Sequence, residues 1–139
     1  MRDLIFGIGL IALLSFSAAT LAQRSAPAEE VCSKLAGHAD SRACLEHEAA
    51  HSLALVEAAE QSFREFLLKA DETPGAAART LAAFEDASRE YWRYRRRQCD
   101  FLAALAYGGN GAGDRRLLCL IELDTRRVAD LRAESKSGV

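Results

Sequence analysis

The sequence predicts an all-α fold: a small helical bundle of two long antiparallel helices plus a shorter third, stapled by disulfides. Three observations predict it. Apolar residues recur at steps of three and four over most of the chain. β-branched residues are scarce and no alternating run of useful length appears, so strand signals are absent. The strongest breakers, Thr73-Pro74 and Gly108-Gly109, fall between the periodic stretches rather than inside them.

Met1-Arg2-Asp3 precedes an apolar run from Leu4 to Leu14, followed by small residues ending at Thr20-Leu21-Ala22. That is the layout of a signal peptide over residues 1–22, cleaved before Gln23. Nineteen residues from Leu4 to Ala22 are just long enough to span a bilayer. The Ser/Ala/Thr-rich second half and the single basic residue ahead of it favour cleavage over an anchor. Cys32 follows Glu29-Glu30-Val31, which is no lipobox. Residues 23–139 then form one small domain with disordered ends, at 24–27 and beyond Glu134. It keeps 17 basic and 19 acidic side chains once Arg2 and Asp3 are removed, a balance that does not point to nucleic acid.

Residues 29–35 add a short helical turn. The first long helix is expected over 41–70, where Leu45, Ala49, Ser52, Val56, Ala59, Phe63, Phe66 and Ala70 alternate steps of four and three in a heptad-like seam. Asp40 or Ser41 can cap its start. Thr73-Pro74 ends it and begins the next, with Thr73 as N-cap and Pro74 in the first turn. The second helix should run from 74 to about 107, with Leu81, Phe84, Ser88, Tyr91, Trp92, Arg95, Cys99, Leu102 and Ala106 along its stripe. Residues 108–113 read as a flexible glycine loop. The third helix, about 114–133, presents Leu117, Leu120, Ile121, Asp124, Val128 and Leu131 on one face.

All four cysteines lie beyond the signal segment, and an even number in a small exported domain points to disulfides. Four cysteines allow three pairings. The most local is Cys32 with Cys44 and Cys99 with Cys119, each clamping a chain reversal beside a helix. Closing loops of this size contributes about 3 kcal/mol each in the loop-entropy picture. A zinc site on the same cysteines is less favoured, because the spacing contains no Cys-x2-Cys knuckle.

Arg95 sits in the middle of an apolar stripe, where an unpaired guanidinium is costly to bury. Asp124 holds the same place on the third helix, so a pair between them would account for both misplaced charges as an internal polar tie. His47-Glu48-Ala49-Ala50-His51 matches the HExxH pattern of zinc peptidases. Both histidines lie roughly opposite the seam and should face solvent, and Ala54 stands where such enzymes turn the chain toward a third ligand. A zinc peptidase is therefore the least favoured reading, and no metal or cofactor is expected. Arg93, Arg96 and Arg97 flank Tyr94 in a basic run that reads as a solvated ion-pair ladder with Glu90, Asp86 and Asp100.

Tyr91, Arg95 and Cys99, then Gly108-Gly109, Cys119, Arg127 and Leu131 together resemble the lysozyme inhibitor LprI-like family, whose members read Trp-x3-Arg-x3-Cys, a Gly-Gly turn, and Cys-x7-Arg-x3-Leu. The likeness is strongest over residues 81–132, with an echo from Cys32 to Leu68. Tyr91 replaces the usual Trp, with Trp92 following it. Asp124 stands where a hydroxyl residue is usual, and Val56, Ala59, Glu60 and Phe63 fill the places of Asp-x2-Leu-Asn-x2-Tyr. The resemblance implies a periplasmic or secreted binding protein, not an enzyme, that inhibits a lysozyme or another cell-wall hydrolase. The alternative is a cell-envelope interaction module without inhibitory activity. Candidate binding surfaces are the acidic positions Glu46, Glu57, Glu60 and Glu65 of the first long helix, and the loop carrying Asn110 and Asp114.

Overall fold

The computed structural model describes residues 28–69, 73–109 and 111–137, which are mostly helical with no strand among them. The signal segment, Ala70 and Asn110 lie outside the described residues. Four helices follow in order: α1 (Ala28–Cys32), α2 (His38–Lys69), α3 (Pro74–Ala104) and α4 (Gly111–Ser137). α2 and α3 run antiparallel. α4 returns parallel to α2, because Arg42 meets Asp114 and Ser52 meets Asp124 as both chains ascend. It packs against both partners, whereas α2 and α3 meet over a shorter stretch.

The ends of the helices depart from expectation for local reasons. α2 starts at His38, not at Asp40 or Ser41, with the Gly37 carbonyl accepting from Ser41 N and Asp40 left in the first turn, where a carboxylate complements the helix dipole. Thr73 precedes α3 in extended conformation, and its carbonyl, not its hydroxyl, takes the first bonds, from Ala76 N and Ala77 N. α3 closes at Ala104. Ala106 N and Tyr107 N bond three residues back, and positive φ at Tyr107 (49°) and Gly108 (77°) then turns the chain.

α4 is not a short third helix. It has 27 residues against 32 and 31 for α2 and α3, starting inside the expected loop at Gly111 and running past Ala133. Its glycines allow this. A Cβ at Gly113 would collide with the Arg42 guanidinium, so the missing side chain lets α4 begin directly against α2. Beyond Ala133, no breaker ends the helix before Ser137.

The disulfides join Cys32 to Cys44 and Cys99 to Cys119, with Cα atoms 5.6 and 5.4 Å apart. The first ties α1 to α2 and the second ties α3 to α4. Along the bundle the interior falls into three zones. Near the α2–α3 connection, Leu67, Phe84 and Leu131 are buried beneath Ala59, Phe63, Phe66 and Leu81. At the opposite end, Cys99, Cys119 and Leu120 pack with Leu102 and Leu123. Between them lies a zone of buried polar side chains. The seam of α2 also drifts: its buried positions are Leu45, Ala49, Ser52, Val56, Glu60 and Leu67. A strict heptad requires supercoiling, and a straighter helix rotates about 20° per seven residues away from it. By the second half of α2 that drift has moved the buried row from Ala59 and Phe66 to Glu60 and Leu67.

Candidate functional site

The middle zone collects every charge that the sequence places on an apolar stripe. Arg95 on α3 donates from Nε and Nη2 to the two oxygens of Asp124 on α4, at 2.5 and 2.6 Å. Such a two-pronged pair matches the planar guanidinium to the planar carboxylate. Asp124 is 0% exposed and accepts two further bonds, from Tyr91 Oη at 2.9 Å and Ser52 Oγ at 3.0 Å. The Ser52 hydroxyl also lies 3.0 Å from the Ala49 carbonyl, so its single proton has a second acceptor within reach. One carboxylate on α4 thus draws donors from both α2 and α3.

One turn further along α4 the signs are reversed. Arg127 donates from Nε and Nη2 to Glu60 on α2 at 3.2 and 3.0 Å, and from Nη2 to Ser88 Oγ on α3 at 3.0 Å. Glu60 is 3% exposed, and its other oxygen accepts from Trp92 Nε1 at 3.1 Å. The arginines also rest on aromatic faces: Arg95 lies 5.4 Å from the Trp92 ring centre, and Arg127 lies 5.1 Å from that of Tyr91 and 5.7 Å from that of Phe84. No buried side-chain nitrogen or oxygen lacks a partner among the described residues.

Burial works against the Arg95 charge, but the hydrogen bonds and charge of Asp124, joined by Tyr91, hold its pKa above the ordinary guanidinium value. The Tyr91 phenol is pushed well up from its usual range, first by burial and then by the Asp124 charge and hydrogen bond, with Arg95 and Arg127 opposing. The phenol therefore stays protonated and keeps donating.

Glu60 was placed by its spacing on an exposed acidic face, and the structure corrects this. The drift of the α2 seam turns it inward, where Arg127 and Trp92 hold it. The signal that could have found it was Arg127 itself, a second arginine three residues from Asp124 on the face that carries Leu131, which needed an acceptor as much as Arg95 did. Glu46, Glu57 and Glu65 do face solvent, Glu46 paired with Arg42 and Glu65 accepting from Gln61. Asp114 is already engaged, by His38 Nε2 and Arg42 Nη1, each at 3.0 Å.

His47 and His51 are exposed, and His47 Nδ1 lies 3.4 Å from the carboxylate of the adjacent Glu48. Among the described residues no three His, Cys, Asp or Glu side chains gather as a metal site would require. Gly108 and Gly109 form the turn between α3 and α4, and Leu131 belongs to the apolar zone at the other end. Tyr91, Arg95, Asp124 and Arg127 thus meet in one place, inside the bundle, where their charges are spent on one another. Outward-facing chemistry is left to the helix surfaces and the α3–α4 turn.

Residues 32–131 match the family model described as lysozyme inhibitor LprI. No curated protein and no solved structure matches the chain.

Proposed function

The chain belongs to the lysozyme inhibitor LprI family, and from that premise we propose that it is an exported binding protein of the periplasm or the secreted fraction that inhibits lysozyme-type muramidases. The match from Cys32 to Leu131 carries the reading, since it takes in both disulfides and the whole charge network. Two physical features support it. The paired cysteines suit an oxidising compartment. Inhibition also requires only a rigid surface, and three helices locked by internal ion pairs provide one without committing any exposed group.

Glu46, Glu57 and Glu65 give α2 an acidic outer face that would hasten encounter with a basic lysozyme. The test is to mix the purified disulfide-bonded protein with a panel of muramidases and follow lysis of cell walls. Slowed lysis by at least one enzyme is expected. Undiminished lysis across the panel would favour the second reading, a cell-envelope interaction module of the same fold. The departures at Val56, Ala59, Glu60 and Phe63 from the residues usual in the family make that the natural runner-up.

A further inference from the structure

We propose that Tyr107, at the tip of the α3–α4 turn, is the anchor that enters the glycan cleft of the target muramidase. This deepens the inhibitor reading and rests on it. Tyr107 is 93% exposed, the most exposed of the large hydrophobic residues, and it adopts φ 49°, a left-handed conformation that bulky side chains avoid. Neither burial nor backbone preference within the folded chain accounts for an aromatic ring there. Phe101, in the last turn of α3, and Leu105 just after it are exposed as well.

The tip is held from behind. The Cys99–Cys119 bridge draws the two helices together at its base, and Arg116 Nε pairs with Asp100 at 2.7 Å across the same level. A ring presented on a braced turn loses little freedom on docking, and Tyr has only two side-chain torsions to fix, which is why such residues dominate binding hot spots.

Charge selects the occupant. Of the six arginines between residues 93 and 116, Arg95 is buried against Asp124, and Arg93 and Arg116 pair with Glu90 and Asp100. Arg96, Arg97 and Arg115 are exposed at this end and make no ion pair among the described residues. Muramidases cut their substrate between two carboxyl groups set in a cleft shaped for sugar rings. A projecting phenol, with unpaired arginines on the two helices that carry it, is complementary to such a cleft in its capacity to stack where a sugar would lie and in charge.

The test uses the purified disulfide-bonded protein against a basic animal lysozyme, with cell-wall glycan as substrate. Occupation of the cleft predicts competitive inhibition: the apparent KM rises and kcat holds. Tyr107→Gly suits the left-handed backbone, so the thermal midpoint should not fall, yet inhibition should weaken about 30-fold or more, as for loss of a central aromatic anchor. Tyr107→Phe should retain most of the inhibition, and Arg97→Glu with Arg115→Glu should weaken it. Full potency in Tyr107→Gly, or inhibition that lowers kcat at constant KM, overturns the cleft assignment and leaves the inhibitor reading standing. No inhibition by the unsubstituted protein of this lysozyme or of any other muramidase in the panel overturns both. Binding to anionic phospholipid vesicles that depends on Tyr107 while inhibition does not would assign the tip to a lipid surface and likewise overturn the proposal.

Discussion

Replacing Arg95 with Met removes two of the four hydrogen bonds to Asp124 and the countercharge that makes them strong, while keeping most of the side-chain volume. Asp124 is 0% exposed and has no route to water, so its carboxylate is left buried and under-compensated. Breaking one side of a buried pair costs about 3–5 kcal/mol. The bonds from Ser52 and Tyr91 remain, which places the loss near the lower figure, about 3 kcal/mol, or roughly 10–15 °C in thermal midpoint for a domain of this size. Asp124→Leu alone should cost less, because the Arg95 side chain is 13% exposed and its long stem can carry the charge to solvent. With both replaced, Ser52 still has the Ala49 carbonyl, and only the Tyr91 hydroxyl seeks a new partner. The double variant should therefore recover to within about 1–2 kcal/mol of the parent, a coupling of roughly 2–3 kcal/mol. Urea unfolding of the four proteins, followed by circular dichroism with the disulfides intact, measures this directly. Losses that simply add would refute the idea that this pair is one structural unit.

Three further outcomes are expected. Because the Tyr91 pKa is raised on folding, the native state keeps a proton that the unfolded chain releases above about pH 10, so stability should fall as pH rises through that point; the slope has a ceiling of about 1.4 kcal/mol per pH unit, lowered by partial solvent access, and it should become shallower in Tyr91→Phe when denaturant midpoints are compared between pH 9 and 11. Glu60→Lys should unfold or severely destabilise the domain by setting a like charge against Arg127, whereas Glu57→Lys on the exposed face should change stability by no more than about 0.5 kcal/mol; equal effects in thermal melts would contradict the inward placement of Glu60. Replacing His47 and His51 together with Gln should leave the melting temperature, the metal content of a native preparation and any muramidase inhibition unchanged, and a loss of activity with the fold intact would instead favour a metal site there.

The helical class, the breakpoints at Thr73-Pro74 and Gly108-Gly109, and the meeting of Arg95 with Asp124 were legible because each rests on local chemistry: a period, a breaker, a charge stranded on an apolar stripe. Glu60 was not, because a heptad template and a straight helix agree over two turns and diverge over six, and only the packing partner decides which row is buried. The length of α4 was hidden for a different reason. Glycine reads as loop, and its use here, making room for Arg42, depends on a residue some seventy positions earlier. The departures at positions 91 and 124 make sense only together. The usual Trp has no hydroxyl to offer, whereas Tyr91 brings one, and Asp124 is the acceptor it finds; Thr125, next in sequence, turns outward and bonds the Ile121 carbonyl instead.

α4 supplies a partner to every charge that the rest of the bundle buries: Asp124 for Arg95, and Arg127 for Glu60. It also brings Cys119, without which Cys99 has no mate. The order of synthesis gives this a temporal meaning. While α2 and α3 are already made, each still carries a charge that resists desolvation, and the two helices share little surface on which to collapse. Folding is therefore expected to close only once α4 is available, and a chain truncated before α4 should fail to give a cooperative thermal melt. On the export route proposed above, late closure of this kind would keep the chain fit for transport, with the still unpaired Arg95 and Glu60 delaying the collapse that their ion pairs later hold.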